Sequence, residues 1–168
     1  AEFMLETVLS YAALDGEQTI LELYSGVGAL TASLAAKAAE IVAIEANPDA
    51  VDDAAVNLDD FDNVSLYQGL VEEVLPLLDV EPDLVVVDPP SSGLIPELVD
   101  QIVALAPARL LYVSSDIATL ARDGRRLEAK GYRLIRLQPI DTQPQTYHIH
   151  TVSLWSASDG PDSDGPDH

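Results

Sequence analysis

The sequence predicts an α/β fold: one doubly wound sheet, mostly parallel, closed by a C-terminal antiparallel hairpin. Three observations predict it. Short apolar runs alternate with segments of helical spacing for five units. A Gly-x-Gly turn joins the first of these runs to its helix. Two strand-like segments then follow one another with no helix between them.

Each element has a local reason. Phe3 to Leu14 carries Met4, Val8, Tyr11 and Ala12 on one helical face, and Asp15-Gly16 ends it. Thr19 to Leu23 is an apolar strand that runs into Tyr24-Ser25-Gly26-Val27-Gly28. Ala29 to Ala39, rich in alanine and leucine, is expected as a helix. Ile41 to Glu45 is a strand of the buried type, and Pro48 opens a helix expected to reach about Asp60. Val64 to Gln68 is a strand, Val71 to Leu78 a short helix, and Leu84 to Val87 a strand that stops at Asp88-Pro89-Pro90. Pro96 to Leu105 is a helix, Ala108 to Ser114 a strand, and Ala118 to Lys130 a helix closed by Gly131. Tyr132 to Pro139 and His148 to Trp155 form the hairpin. Residues 1–156 read as one domain, and 157–168, rich in Asp, Gly, Pro and Ser, as a disordered acidic tail.

Composition narrows the chemistry. There are 29 acidic residues against 8 basic ones, a formal charge of −21. Such a surface repels phosphate backbones unless its bases are gathered in one place, and it also suits high salt. The bases are gathered: Arg122, Arg125, Arg126, Lys130, Arg133 and Arg136 hold six of the eight. This cluster reads either as a helix face paired with the acidic remainder or as an RNA-facing patch. The absence of cysteine removes disulfides, zinc thiolates and thiolate nucleophiles. No apolar run is long enough to span a membrane, and no signal peptide is evident, so a cytoplasmic location is expected.

In such sheets ligands bind beyond the carboxyl ends of the strands, here in loops 24–28, 45–48, 68–70, 88–94 and 114–118. The glycines of the first loop allow a ligand to approach the backbone, although a tight turn alone would use them too. Glu45 ends the second strand, where related folds place an acid on ribose hydroxyls. A third glycine is missing, and Ala29-Leu30-Thr31 stands in its place. That favours a nucleoside without a pyrophosphate, such as S-adenosylmethionine. Asp88-Pro89-Pro90 makes a stiff loop in which Asp88 can face a ligand. His148 and His150 alternate with Ile149 and share a strand face, but no third firm metal ligand accompanies them, and no metal is expected.

These motifs resemble the catalytic domain of the RNA uracil-C5 methyltransferase family, which acts on tRNA and 23S rRNA. The likeness spans about residues 4–155. It rests on Leu-Tyr-Ser-Gly-Val-Gly (23–28), Ile-Glu-Ala-Asn-Pro-Asp-Ala-Val (44–51) and Asp-Pro-Pro (88–90). Tyr-Val-Ser-Ser-Asp-Ile-Ala-Thr-Leu-Ala-Arg-Asp (112–123) and Pro-Gln-Thr-Tyr-His-Ile-His (144–150) complete it. The resemblance implies a Rossmann-like class I sheet and S-adenosylmethionine as cofactor. Tyr24, Gly26 and Gly28 would border the cofactor, Glu45 would hold its ribose, and Asp88 would face the reacting centre. Leu70 stands where the family places a polar residue at the adenine end.

The chain departs from the family at the chemistry itself. There, a cysteine attacks C6 of uracil and a glutamate later removes the C5 proton. Here those positions are Ser115 and His150; Ser91 replaces an arginine and Ile117 a proline. A serine hydroxyl needs a base to ionise it, whereas a cysteine is already partly thiolate. His150 has the right basicity for that task. The expected function is therefore methyl transfer to RNA or a related acceptor, with the covalent route altered or impaired. Two alternatives remain: a catalytically silent cofactor-binding scaffold, and an N- or O-methyltransferase of a small acceptor with His150 as base. The family's flanking domains are absent from the chain, so RNA contact would depend on them and on the Arg122–Arg136 cluster.

Overall fold

The computed structural model describes residues 2–141 and 149–158. The elements are α1 (Glu2–Ala12), β1 (Thr19–Leu23), α2 (Ala29–Ala35), β2 (Glu40–Glu45), α3 (Pro48–Asn57), β3 (Val64–Gln68) and α4 (Val71–Val74). A single 3-10 turn, Leu75–Leu77, follows α4. Then come β4 (Leu84–Val87), α5 (Pro96–Ala104), β5 (Arg109–Ser114), α6 (Ile117–Ala129), β6 (Tyr132–Asp141) and β7 (Ile149–Ala157). The seven strands lie in the order β3-β2-β1-β4-β5-β7-β6. β1 to β5 are parallel, and β7 slots between β5 and β6, antiparallel to both. The expected sheet and terminal hairpin are thus present. His148 and most of the acidic tail lie outside the described residues, while β7 extends one residue into the expected tail, to Ala157.

Two helices end sooner than their composition predicts. α2 stops at Ala35 although alanines continue to Ala39. Gly16 N donates to Lys37 O and Ala39 N to Gln18 O, which draws the chain toward β2. Tertiary hydrogen bonds outweigh the few tenths of a kcal/mol that alanine offers per helical residue. α3 ends at Asn57, whose side-chain amide donates to Val27 O at 2.8 Å.

Strand alternation splits the core into two layers. Ile20, Ile41, Ala43, Leu84, Val86, Leu111, Val113 and Val152 pack beneath α1 and α2. Leu21, Leu23, Val85, Val87, Leu110 and Tyr112 pack on the other face, beneath α5 and α6. Trp155 is buried there, its indole N–H donating to Ser153 Oγ at 2.9 Å. Gly124 of α6 lies directly over this ring: an added Cβ would sit 2.7 Å from Trp155 Cη2. Gly124→Ala should therefore destabilise the fold by about 1–2 kcal/mol, because overpacking outweighs the gain in helix propensity. Urea unfolding measures it; a midpoint equal to or above that of the native chain would refute the contact.

Candidate functional site

The glycine loop is built on backbone geometry that few residues adopt. Tyr24, Gly26 and Gly28 all have positive φ, at 63°, 60° and 86°. Gly28 is constrained twice, since a Cβ there would also press on Leu58 at 3.1 Å. At Gly26 the Cβ direction is open, with no atom within 4 Å. Glu45 braces the loop. Its Oε1 accepts from Gly26 N and its Oε2 from Asn47 N, both at 2.8 Å. Each oxygen keeps a second lone pair for a ligand hydroxyl.

A cavity of about 290 Å³ opens between this loop and α1. Met4, Leu5 and Val8 form one wall; Tyr24, Ser25 and Gly26 form another; Asp88 and Val113 line it too. Ser25 Oγ is buried and has no hydrogen-bond partner. A polar atom in that state costs free energy unless a ligand completes it.

The acids here have unusual affinities for protons. Asp88 retains surface at the cavity mouth, yet the protein packed around its carboxyl raises its pKa to about 6; His150 pulls it down in part. Glu22, in Leu21-Glu22-Leu23, is not among the candidates that the sequence motifs single out. It is buried on the same sheet face as Asp88 and accepts from Thr31 Oγ1 at 2.6 Å. Burial pushes its pKa up to about 8, the Thr31 hydrogen bond opposes this, and Asp88 adds to it. Glu22 is therefore predominantly protonated at neutral pH. The signal in the sequence was an acid inside an otherwise apolar strand. Burial also raises the Tyr24 phenol, and Glu72 and Asp123 add to that shift.

Ser115 and His150 separate. The register Ser114↔Thr151, continued by one step, sets their backbones opposite each other. Their surroundings differ. Ser115 lines a second hollow with Ile149 and Thr151 on the α6 side. His150, between those two residues in β7, turns to the opposite face, where it acts on Asp88. His150 Nδ1 is buried and unpartnered, and no Ser115–His150 hydrogen bond exists among the described residues. A serine–histidine couple is thus not formed.

The basic cluster is largely engaged within the fold. Arg122 and Arg126 pair with the buried Asp123, and Lys130 pairs with Asp100. Arg136 lies 5.7 Å from the Tyr11 ring centre. Arg125 is exposed on α6. Leu70 is 48% exposed, immediately before α4. No group of three metal-ligating side chains occurs among the described residues, and no helix there is long and apolar enough to cross a membrane.

No protein-family profile matches the chain. It is 42% identical over 158 residues to an uncharacterized RNA methyltransferase of Enterococcus faecalis, covering 91% of this chain and 35% of that protein. The chain thus spans about a third of the length of the curated relatives it matches. Among solved structures it resembles the Pyrococcus abyssi tRNA (uracil-54, C5)-methyltransferase in complex with S-adenosyl-L-homocysteine. That match has a TM-score of 0.77 and 29% identity, over 91% of this chain and 37% of the other. Precorrin-6y C5,15-methyltransferase of Geobacter metallireducens shares the fold at 19% identity and TM-score 0.76, covering 92% of this chain and 87% of that one.

Proposed function

We propose that the chain is the catalytic domain of an S-adenosylmethionine-dependent RNA methyltransferase of the uracil-C5 lineage, with the covalent C5 route impaired. The observation that carries this is the polar set at the glycine loop: orphaned Ser25 Oγ and Asp88 line the cavity, and Glu45 braces Gly26 beside it. These fit the cofactor's parts. Glu45 would accept from the ribose hydroxyls. Ser25 and Asp88 would meet the methionine end, with an ionised Asp88 balancing its positive charge. The open direction at Gly26 leaves room for a ligand against the backbone. Bound there, the cofactor supplies an electrophilic methyl group.

The similarity to RNA methyltransferases supports RNA as the acceptor. With so few bases left unpaired, we assign most RNA affinity to flanking domains and a minor part to exposed Arg125. Residues 1–156 constitute the catalytic domain in this reading. The impairment rests on Ser115 and His150. No hydrogen bond joins Ser115 to His150 among the described residues, and His150 acts on Asp88 instead. The electrostatic reach of His150 to Asp88 at this site also favours a second reading, in which His150 takes a proton from an N–H or O–H acceptor.

Three measurements test this. Calorimetry with S-adenosylmethionine should detect binding; none at millimolar cofactor would end both enzyme readings. Tritiated-methyl transfer to bulk tRNA and rRNA distinguishes an enzyme from a silent scaffold. The double change Ser115→Cys with His150→Glu should raise 5-methyluracil formation from background by at least tenfold. If the unchanged chain already makes 5-methyluracil, the impairment reading is wrong.

A further inference from the structure

We propose that Asp123 is a positioning residue for Asp88, through a clasp by which the first turns of α6 hold the loop after β4. This rests on the reading of Asp88 as part of the methyl-transfer site. Pro89 and Pro90 lack N–H groups, so the loop has few backbone donors with which to hold itself. Within the loop, Gly93 N donates to Pro90 O at 2.8 Å. At its start, Asp88 N donates to Leu23 O of β1 at 3.3 Å. Beyond Asp88, four more holds come from α6. Thr119 Oγ1 donates to Ser91 O at 2.8 Å, and Arg122 Nη2 to Ser92 O at 2.7 Å. Leu94 N donates to Asp123 Oδ2 at 2.9 Å, and Arg126 Nη1 to Leu94 O at 3.3 Å.

Asp123 is the centre of this arrangement. It is fully buried and accepts from Leu94 N, the Tyr112 hydroxyl at 2.6 Å, and both Arg122 and Arg126. Its charge fixes the two guanidinium groups, which in turn grip the loop carbonyls. Contact is close enough that Gly93 tolerates no side chain. At φ 78° a Cβ would run into Thr119, Asp123 and Arg122. Tyr112 ties the clasp to the middle of the sheet, and Tyr24, at the start of the glycine loop, lies within electrostatic reach of Asp123. The clasp therefore ties the loop that bears Asp88 to the middle of the sheet.

Thr119→Val and Arg122→Gln test the clasp without emptying the buried Asp123 position, and Asp123→Asn tests its charge. Lys130→Gln, on the same helix but away from the loop, is the control. Carbon-13 NMR reads the titration of the Asp88 carboxyl in each. The groups facing that carboxyl, Glu22 and His150, are unchanged in all four variants. A released loop hydrates Asp88, so its midpoint should fall from about 6 toward the ordinary range in the clasp variants and stay put in Lys130→Gln. Methyl transfer should drop at least tenfold in kcat, with cofactor affinity within about threefold. If Thr119→Val and Arg122→Gln both leave the Asp88 midpoint and kcat unchanged, the proposal fails. If the native chain binds no cofactor, the functional reading fails on its own, and the Asp88 titration still decides the clasp.

Discussion

Between pH 6 and pH 8 the native chain should lose about 2 kcal/mol of folding stability through Glu22, and Glu22→Gln should remove most of that slope. The reason is linkage. The Glu22 carboxyl holds its proton up to about pH 8 in the folded chain, against an ordinary value of 4.5 when unfolded. The folded state thus binds more protons than the unfolded state between those values. Stability from this group is complete below about pH 4.5. It then falls by about 1.4 kcal/mol per pH unit and is lost above about pH 8. Asp88 is also raised, to about 6, so its contribution has the same sign and tails off through the lower part of this window. The upper half of the window, pH 7 to pH 8, therefore reports mainly on Glu22. Gln keeps an acceptor for Thr31 Oγ1 and cannot ionise, so the variant should be the more stable protein at pH 8. Urea unfolding at three pH values measures this. A flat native profile, or one that Glu22→Gln leaves unchanged, would mean that Glu22 is already ionised in the fold.

Glu45→Ala should weaken S-adenosylmethionine binding by at least about 100-fold while the chain stays folded. The carboxylate makes two charge-assisted hydrogen bonds, to Gly26 N and Asn47 N, each worth about 1.5–3 kcal/mol. Removing it frees the glycine loop and also removes the proposed acceptors for the ribose. A 100-fold change corresponds to about 2.7 kcal/mol, well within that range. Glu45→Gln can still accept through one oxygen but not at both sites, so it should fall between the two. Calorimetry reads the affinity, and thermal unfolding without ligand confirms the fold. Binding within threefold of the native value would remove Glu45 from the cofactor site.

Much of the molecule was legible in its sequence. β1, β3 and β4 lie on the segments read as strands, and the loops after β1, β2 and β4 carry Gly26, Glu45 and Asp88 where expected. Apolar runs mark buried strands, and glycine and proline mark where they stop; both signals are local. The helix ends were less legible, because Ala36 to Ala39 leave α2 under hydrogen bonds from residues far away in the chain.

By itself, then, the sequence determined the order of strands and helices, and it marked two positions, Ser115 and His150, as candidates. The tertiary structure alone decided how those positions relate. Although opposite in register, Ser115 and His150 have different surroundings: His150 acts on Asp88, whereas Ser115, one residue past the end of β5, borders the hollow with Ile149 and Thr151. The stripe of arginines on α6 reads in sequence either as a face paired with the acidic remainder or as an RNA-facing patch. Packing turns Arg122 and Arg126 onto Asp123 and the loop after β4 instead. Glu22 is protonated only because sheet closure removes water from around it. Proton affinity, pairing of charges and the aim of a side chain depend on what lies across the fold, and local spacing carries no record of that.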